Sequence, residues 1–131
     1  MSITSKENIQ TELEEIQNFL EITLSEDINE AVVRGNDLAV YMARSGKLLA
    51  DAKIHKDEAL KSETMLRIKE LMSLPASTSN KFIETLTKEE NHLVTWADRI
   101  NAACSRQLEW CRTVISKGKA EYQALHMYQG T

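Results

Sequence analysis

Residues that interrupt regular structure are scarce in this sequence. Its 131 residues include one proline, Pro75, and four glycines. A β fold with many turns needs such residues at its turns, so their scarcity argues against one. Alanine, leucine, glutamate and lysine are common instead, and β-branched residues rarely cluster, which favours helix. The sequence therefore predicts an all-α fold with long helices, in a single helical domain over residues 1–131.

Long apolar runs are also missing. No stretch of about 18 apolar residues occurs, so neither a membrane span nor a membrane partner is expected. The beginning of the sequence, MSITSKENIQTELEE, is acidic and lacks the apolar core of a signal peptide. We therefore expect a cytoplasmic protein whose two cysteines remain reduced.

The two cysteines do not have the spacing of a zinc or redox motif. A Cys-x-x-Cys pair would indicate either function, whereas Cys104 and Cys111 are seven residues apart. Two helical turns separate their α-carbons by about 10 Å, which is too far for a mutual disulfide. We expect both to be buried in a helix seam as small apolar side chains.

Sequence signatures of catalysis are absent as well. There is no Gly-x-Ser-x-Gly motif and no glycine-rich phosphate loop. Glu89-x-x-His92 matches the Glu-x-x-His pattern of di-iron bundles, but such a site needs that motif twice. Asp51-x-x-x-His55 is only a loose substitute. We therefore expect no enzymatic activity, no metal site and no cofactor.

Two pairs of acidic residues leave one enzymatic alternative open. Glu12-x-x-Glu15 and Asp27-x-x-Glu30 weakly resemble the carboxylate clusters that hold magnesium in all-α, Mg-dependent nucleotide pyrophosphatases. Carboxylate oxygens bind Mg²⁺ together with phosphate. The glutamate-rich second motif of that family and its lysine and asparagine partners are missing here. An acidic face in solvent is the other interpretation.

The spacing of apolar residues divides the chain into segments. These are a helix at about 4–24, a long helix, broken or unbroken, at about 26–73, a loop and short helix over 74–86, and a long helix at about 88–127. Capping residues indicate three helix starts: Thr4–Glu7 and Thr87–Glu90 have the form of capping boxes, and Ser25 is an N-cap candidate.

Each long helix carries a stripe that advances in steps of three and four residues. The stripe of the last helix is Leu93, Ala97, Ile100, Cys104, Leu108, Cys111, Ile115, Gly118, Tyr122 and Leu125. The stripe of the other is Ile28, Val32, Gly35, Ala39, Met42, Gly46, Leu49 and Lys53. Glycine inside a helix costs about 1 kcal/mol, so Gly35 and Gly46 suggest close approach of a second helix. The patterns predict an elongated antiparallel hairpin, a coiled-coil-like bundle that turns near Pro75, with the shorter acidic helix alongside.

Further apolar residues lie off these stripes and predict a homo-oligomer, because they form a second apolar face. They are Leu38, Tyr41, Leu48, Trp96, Trp110 and Val114.

Charge is distributed unevenly along the chain. The net charge is −4, with −7 on residues 1–30 and +3 on the remainder. Basic residues on the two long helices are candidates for a patch that binds phosphates or an acidic partner. We expect Arg44 and Lys47 to lie level with residues 112–119. The candidate binding residues are Arg44, Lys47, Arg99, Arg106, Arg112 and Lys119, with Tyr41 and Trp110 for stacking. An ordinary solvated face, covered in part by the acidic helix, is the alternative interpretation.

Two stretches, RGNDLAVYMARSGKLLADAK (34–53) and WADRINAACSRQLEWCRTVISKGKAEY (96–122), resemble small all-α proteins encoded by bacteriophages and prophages of gut bacteria. Genes of this kind often lie among early functions for DNA replication, recombination or host takeover. The resemblance implies action in the cytoplasm of a bacterial host cell and a non-enzymatic accessory or inhibitor that binds a host or phage protein through its helical surface. Binding of nucleic acid or a nucleotide through the basic residues is the first alternative, and the pyrophosphatase is the second.

Overall fold

The computed structural model describes residues 2–129, and over this range the chain forms helices and no strand. The helices are α1 (Lys6–Leu20), α2 (Ile28–Leu66), α3 (Ile68–Met72), α4 (Ala76–Leu86) and α5 (Lys88–Gln129). The predicted all-α class and the hairpin of two long helices are confirmed, because α2 and α5 pack against each other along most of their length. None of the helices in the described part of the chain combines the length and the apolar character that a bilayer crossing requires.

Three contacts define the antiparallel register of α2 and α5. Ile28 lies against Gly118, Arg34 Nη2 donates to Gln107 Oε1 at 2.8 Å, and Asn101 Nδ2 donates to the Met42 carbonyl at 2.9 Å. The register places the start of α2 beside Gly118, so the last turns of α5 extend past α2.

The acidic helix α1 lies in the groove between the long helices. It runs parallel to α5, since Lys6 reaches Glu90 at 3.8 Å and the Leu20 carbonyl accepts from Gln107 Nε2 at 3.0 Å. At its end, the Arg34 guanidinium lies 4.3 Å above the Phe19 ring. The bundle therefore has three helices in its middle part and two towards the hairpin turn.

The buried core coincides with the part that α1 covers. Its apolar members are Ile9, Leu13, Ile16, Ala31, Leu38, Leu48, Ala52, Leu93, Ala97, Ile100, Cys104 and Cys111. No residue between 53 and 86 is buried. The stretch DAKIHKDEALKSE (51–63), which has few apolar residues, is helical without a break, and within it only Asp51 and Ala52 at its start are buried.

The predicted stripe on α2 is correct in only one of its two rows. Met42 and Leu49 pack against the core and Gly35 lies against Leu108, but Val32, Ala39 and Lys53 are exposed, and positions 31, 38, 45 and 52 face the core in their place. A shift of one residue turns a helix by about 100°. The buried row contains Ser45, and Asp51 is buried next to it. A search for apolar residues alone could not follow that row.

The two glycines of α2 do not mark a close helix approach. A β-carbon added at Gly35 would lie 3.6 Å from Leu108, and one at Gly46 would lie 3.8 Å from Asn101, which are ordinary contacts. At Gly118 an added β-carbon would overlap Ile28, with 2.8 Å to its Cγ1. Close approach thus occurs at the open end of the hairpin and not along α2.

The predicted second apolar face is covered within the chain. Leu38 and Leu48 belong to the core, and Tyr41, Trp96, Trp110 and Val114 pack against it half-buried. Phe19 of α1 packs against Tyr41 with ring centroids 4.9 Å apart and the ring planes tilted by 51°, and Trp96 Nε1 donates to Gln17 Oε1 at 3.3 Å. This face therefore gives no reason for a homo-oligomer, which stays a prediction.

The helix starts differ from the predicted capping motifs. Ser5, not Thr4, caps α1 and accepts from the Asn8 N–H at 3.2 Å. Asp27, not Ser25, caps α2 and accepts from the Glu30 N–H at 3.0 Å. The Thr87 hydroxyl donates to the Ile83 carbonyl at 3.0 Å, because α4 passes almost directly into α5 there. That hydroxyl therefore belongs to the end of α4.

The return of the chain begins earlier than predicted. Residues 76–80, ASTSN, were predicted as a loop and form the first turns of α4, with Pro75 as its N-cap residue. α4 already packs against α2, so it is part of the returning arm. The long first arm is interrupted only at Arg67, where α2 ends and α3 begins.

Candidate functional site

Two of the predicted binding residues are engaged by acidic partners of the same chain. Arg44 binds Glu12 of α1 through two hydrogen bonds, Nε to Oε1 at 2.7 Å and Nη2 to Oε2 at 2.6 Å. Hydrogen bonding to Arg44 lowers the pKa of Glu12 and raises that of Arg44. Lys47 binds both oxygens of Asp51, at 2.6 and 2.7 Å. Bidentate pairs of this kind are strong and directional, so neither cation is free for phosphate.

The other predicted basic residues lie elsewhere on the bundle. Arg44 is level with Asn101, since Asn101 Nδ2 binds both the Met42 carbonyl and Ser45 Oγ. Arg112 lies eleven residues further along α5, about 17 Å away, so the predicted level with residues 112–119 is wrong. The error arose because α4 had been left out of the returning arm. Arg99, Arg106, Arg112 and Lys119 are exposed on α5, and Arg112 binds Glu109 at 2.6 Å.

The predicted stacking residues are not displayed on a surface. Tyr41 is half-buried under Phe19, and Trp110 is half-buried beside Cys111 at a cavity of about 180 Å³. Stacking on a nucleic-acid base needs an accessible ring face. The structure does not bring the eight predicted residues together into one patch.

A cluster on α2 holds the beginning of the chain in place. Asp51 Oδ2 accepts from the Thr4 N–H at 2.9 Å, His55 Nε2 donates to the Thr4 carbonyl at 2.7 Å, and Lys47 Nζ donates to the Ser2 carbonyl at 3.4 Å. Burial by itself would raise the pKa of Asp51. The hydrogen bonds from Lys47 and Thr4 outweigh it and lower that pKa from 3.8 to about 2. The cluster fixes the entry into α1, so its role is structural.

Both cysteines are buried and unpaired, as predicted. Burial raises the pKa of each thiol, and the charge of Arg34 opposes that effect at Cys111. A thiol with a raised pKa is protonated at neutral pH and is a poor nucleophile. The two residues therefore act as core side chains.

Replacing Cys104 with serine should lower the free energy of unfolding by about 1–2 kcal/mol, because a hydroxyl replaces a thiol at a fully buried position. Ser105→Ala, on the exposed neighbour, is the matched control and should leave stability within about 0.5 kcal/mol. Urea denaturation followed by circular dichroism measures both. Equal stability of Cys104→Ser and the wild type would contradict the burial of this thiol.

The acidic pairs that suggested a magnesium site are separated. Glu12 binds Arg44, and Asp27 caps α2. Over residues 2–129, no three His, Cys, Asp or Glu side chains come together as metal ligands. The carboxylate cluster that the pyrophosphatase alternative requires is thus not formed by the described residues.

The most exposed apolar surface is at the hairpin turn, residues 65–74, here called the tip. Its large side chains and their exposed fractions are Met65 68%, Leu66 74%, Ile68 47%, Met72 81% and Leu74 38%. Surface apolar residues scattered singly need no explanation, but a contiguous group commonly marks an interaction site. The tip therefore stands out as a candidate binding surface.

The local hydrogen bonds explain why these side chains are outside. Arg67 leaves helical geometry and binds Glu63 at 2.8 Å. Ser73 Oγ donates to the Glu70 carbonyl at 2.7 Å, and Ser79 Oγ donates to the Leu71 carbonyl at 2.9 Å. The polar groups of the turn thus satisfy each other, and apolar side chains form its outer surface.

Sequence reasoning did not identify the tip as a site. It placed the apolar residues before Pro75 in the long second helix, at about 26–73, and assigned them no function. The sequence did contain a sign of this surface, because several apolar residues lie next to the predicted turn. At the turn of a hairpin, neither of the two helices packs over such side chains. Comparisons with protein-family models, with curated proteins and with solved structures gave no match.

Proposed function

We propose that this chain is a non-enzymatic binding protein whose hairpin tip docks onto an apolar groove or helix of a partner protein. The exposure of five large apolar side chains within ten residues supports this proposal. An accessory or inhibitor of a host or phage protein, as the resemblance to phage-encoded proteins implies, is the biological form that we propose for it.

The composition of the tip favours a protein partner. Methionine is flexible and polarisable, and it recurs on surfaces that adapt to a partner. Met65 and Met72 supply such side chains, and Leu66 adds a branched apolar side chain that is 74% exposed. The charged residues around them have both signs, with Glu63 bound to Arg67. Nucleic-acid surfaces instead present a cluster of unpaired cations.

The shape of the bundle also suits this role. α2 has 39 residues and is about 58 Å long. The covered core lies in the half that is remote from the turn, so the tip extends from a stable base. A partner could engage it without disturbing α1.

The tip should lose its partner when it becomes charged. We expect Leu66→Asp and Met72→Asp each to weaken partner binding at least tenfold, because a carboxylate would be desolvated in the apolar contact. The measurement is capture of a stoichiometric partner from bacterial lysate by immobilised protein, followed by titration of that purified partner. Leu125→Asp, at the opposite end of the molecule and 58% exposed, is the control and should bind normally.

The result that contradicts the proposal is a partner that binds the tip variants as well as the wild type. A partner lost equally in Leu125→Asp would place the contact elsewhere on the bundle.

Nucleic-acid binding is the second candidate, supported by one observation. Arg99 and Arg106 are exposed one heptad apart on α5, and they make no ion pair among the described residues. Binding through them would weaken steeply with salt. Titration of labelled single- and double-stranded DNA over a salt series separates this function from protein binding.

A further inference from the structure

The methionines of the described residues fall into two groups by exposure. Met65 and Met72 at the tip are 68% and 81% exposed, and Met127 near the end of α5 is 76% exposed. Met42 instead is half-buried and packs against the core. Two of the three most exposed large apolar side chains of the tip are therefore thioethers.

An exposed thioether reacts with peroxides. One oxygen atom passes from hydrogen peroxide to the methionine sulfur: the O–O bond breaks, an S–O bond forms, and the sulfur gives up two electrons. The other peroxide oxygen leaves as water and carries both protons. The product, methionine sulfoxide, is polar, and methionine sulfoxide reductases return it to the thioether.

The two cysteines do not compete for this oxidant. Cys104 and Cys111 are 0% and 1% exposed, so a peroxide does not reach their sulfur atoms. Burial also raises the pKa of both thiols, and the thiolate is the form that peroxides oxidise. Among the described residues, sensitivity to peroxide therefore lies with the exposed methionines.

We propose that Met65 and Met72 are oxidation sites at which a peroxide turns off partner binding by the tip. This inference rests on the proposed function of the tip and adds its regulation. In the reduced state the two flexible side chains pack against an apolar partner surface. In the oxidised state each carries a sulfoxide oxygen, which loses its hydrogen bonds to water when apolar groups cover it.

The position of the two methionines lets oxidation change the surface without damage to the fold. No residue between 53 and 86 is buried, so the sulfoxides add no polar group to the core. The turn is held by hydrogen bonds of Arg67, Ser73 and Ser79, and none of these bonds involves a methionine side chain. The modified side chains also stay within reach of a reductase, so the change is reversible.

The first measurement is the order in which the methionines are oxidised. The intact protein is treated with a limiting amount of hydrogen peroxide, and each sulfoxide is located by peptide mass spectrometry. Met65 and Met72 should oxidise severalfold faster than Met42, and the circular dichroism spectrum should keep its helical signal. Oxidation of Met42 at the same rate, or loss of the helical signal, would overturn the proposal.

The second measurement uses the partner protein that is purified by capture from bacterial lysate. Conversion of Met65 and Met72 to sulfoxides should raise its dissociation constant about tenfold or more, and methionine sulfoxide reductases should restore it. The double variant with Met65→Leu and Met72→Leu keeps the apolar character of the tip and has no thioether there, so peroxide should leave its affinity unchanged. Met127→Leu is the matched control and should lose affinity on oxidation as the wild type does.

Two further results would count against the oxidation sites: a wild type with both tip sulfoxides that binds as tightly as before, or a double variant that peroxide weakens as much as the wild type. Leu66→Asp separates this inference from the function on which it rests, because it changes the tip without thioether chemistry. If Leu66→Asp binds normally, the proposed function of the tip is wrong. If Leu66→Asp loses the partner and the oxidised wild type keeps it, only the oxidation sites are wrong.

Discussion

Replacing Leu38 with alanine should lower the free energy of unfolding by about 3 kcal/mol. Leu38 is 0% exposed in the seam that α1, α2 and α5 share. Truncation removes buried methyl groups and leaves a cavity between three helices that cannot easily close, and such substitutions cost about 2–5 kcal/mol. For a domain of this size, a loss of this magnitude lowers the melting temperature by roughly 10 °C.

Leu66→Ala is the matched control, since it makes the same chemical change on the same helix. Leu66 is 74% exposed at the tip, so its truncation should change stability by about 0.5 kcal/mol or less. Thermal and urea denaturation at equal protein concentration measure both variants. If Leu38→Ala is no less stable than Leu66→Ala, the assignment of positions 31, 38, 45 and 52 to the core is wrong.

This pair of variants also marks where sequence reasoning succeeded and where it failed. The all-α class and the antiparallel hairpin could be predicted because glycine and proline are scarce and because apolar residues recur every three or four positions. Both features can be read from the sequence without knowledge of tertiary contacts. Which side of α2 is buried cannot be predicted from the apolar pattern, because the buried row of residues includes Ser45. The Ser45 hydroxyl donates to the Met42 carbonyl at 3.0 Å and accepts from Asn101 at 3.0 Å. Only the partner helix shows that this polar residue is satisfied in the core.

The basic residues do not form the predicted patch, for a related reason. Sequence reasoning counted Arg44 and Lys47 as free charges. Lys47 binds Asp51 four residues further along α2, whereas the partner of Arg44 depends on the level of α1 in the groove. Glu12 is 32 positions from Arg44 in the chain and binds it directly. The tip, by contrast, consists of neighbouring residues, and its exposure follows from the position of the turn.

The residues that stabilise the fold and those proposed to bind a partner lie in different parts of the bundle. Buried residues occur in the middle of the bundle, whereas the exposed apolar side chains of the tip lie at the hairpin turn. Substitutions at the tip should therefore change association with little effect on folding. That separation makes the proposed binding functions testable by variants that remain folded.

Replacing Asp51 with asparagine should lower the free energy of unfolding by about 2 kcal/mol at neutral pH. Asp51 is 3% exposed and accepts from Lys47 and from the Thr4 N–H. An amide has the same shape but no charge, so it leaves the Lys47 ammonium group unpaired and weakens the hold on the beginning of the chain. Hydrogen bonds to charged groups contribute about 1.5–3 kcal/mol each.

The pH dependence of this loss is the sharper test. The folded-state pKa of Asp51 is lowered from 3.8 to about 2, so its carboxylate stabilises the fold above pH 3.8, and that contribution is lost as the pH falls through both values. The difference in stability between the wild type and Asp51→Asn should therefore be constant from pH 7 to 5 and should shrink towards zero near pH 2. Asp57→Asn, an exposed acid on the same helix, should show no such trend. A difference that persists unchanged at pH 2 would mean that packing of the side chain, and not its charge, holds Thr4 and the start of α1 against α2.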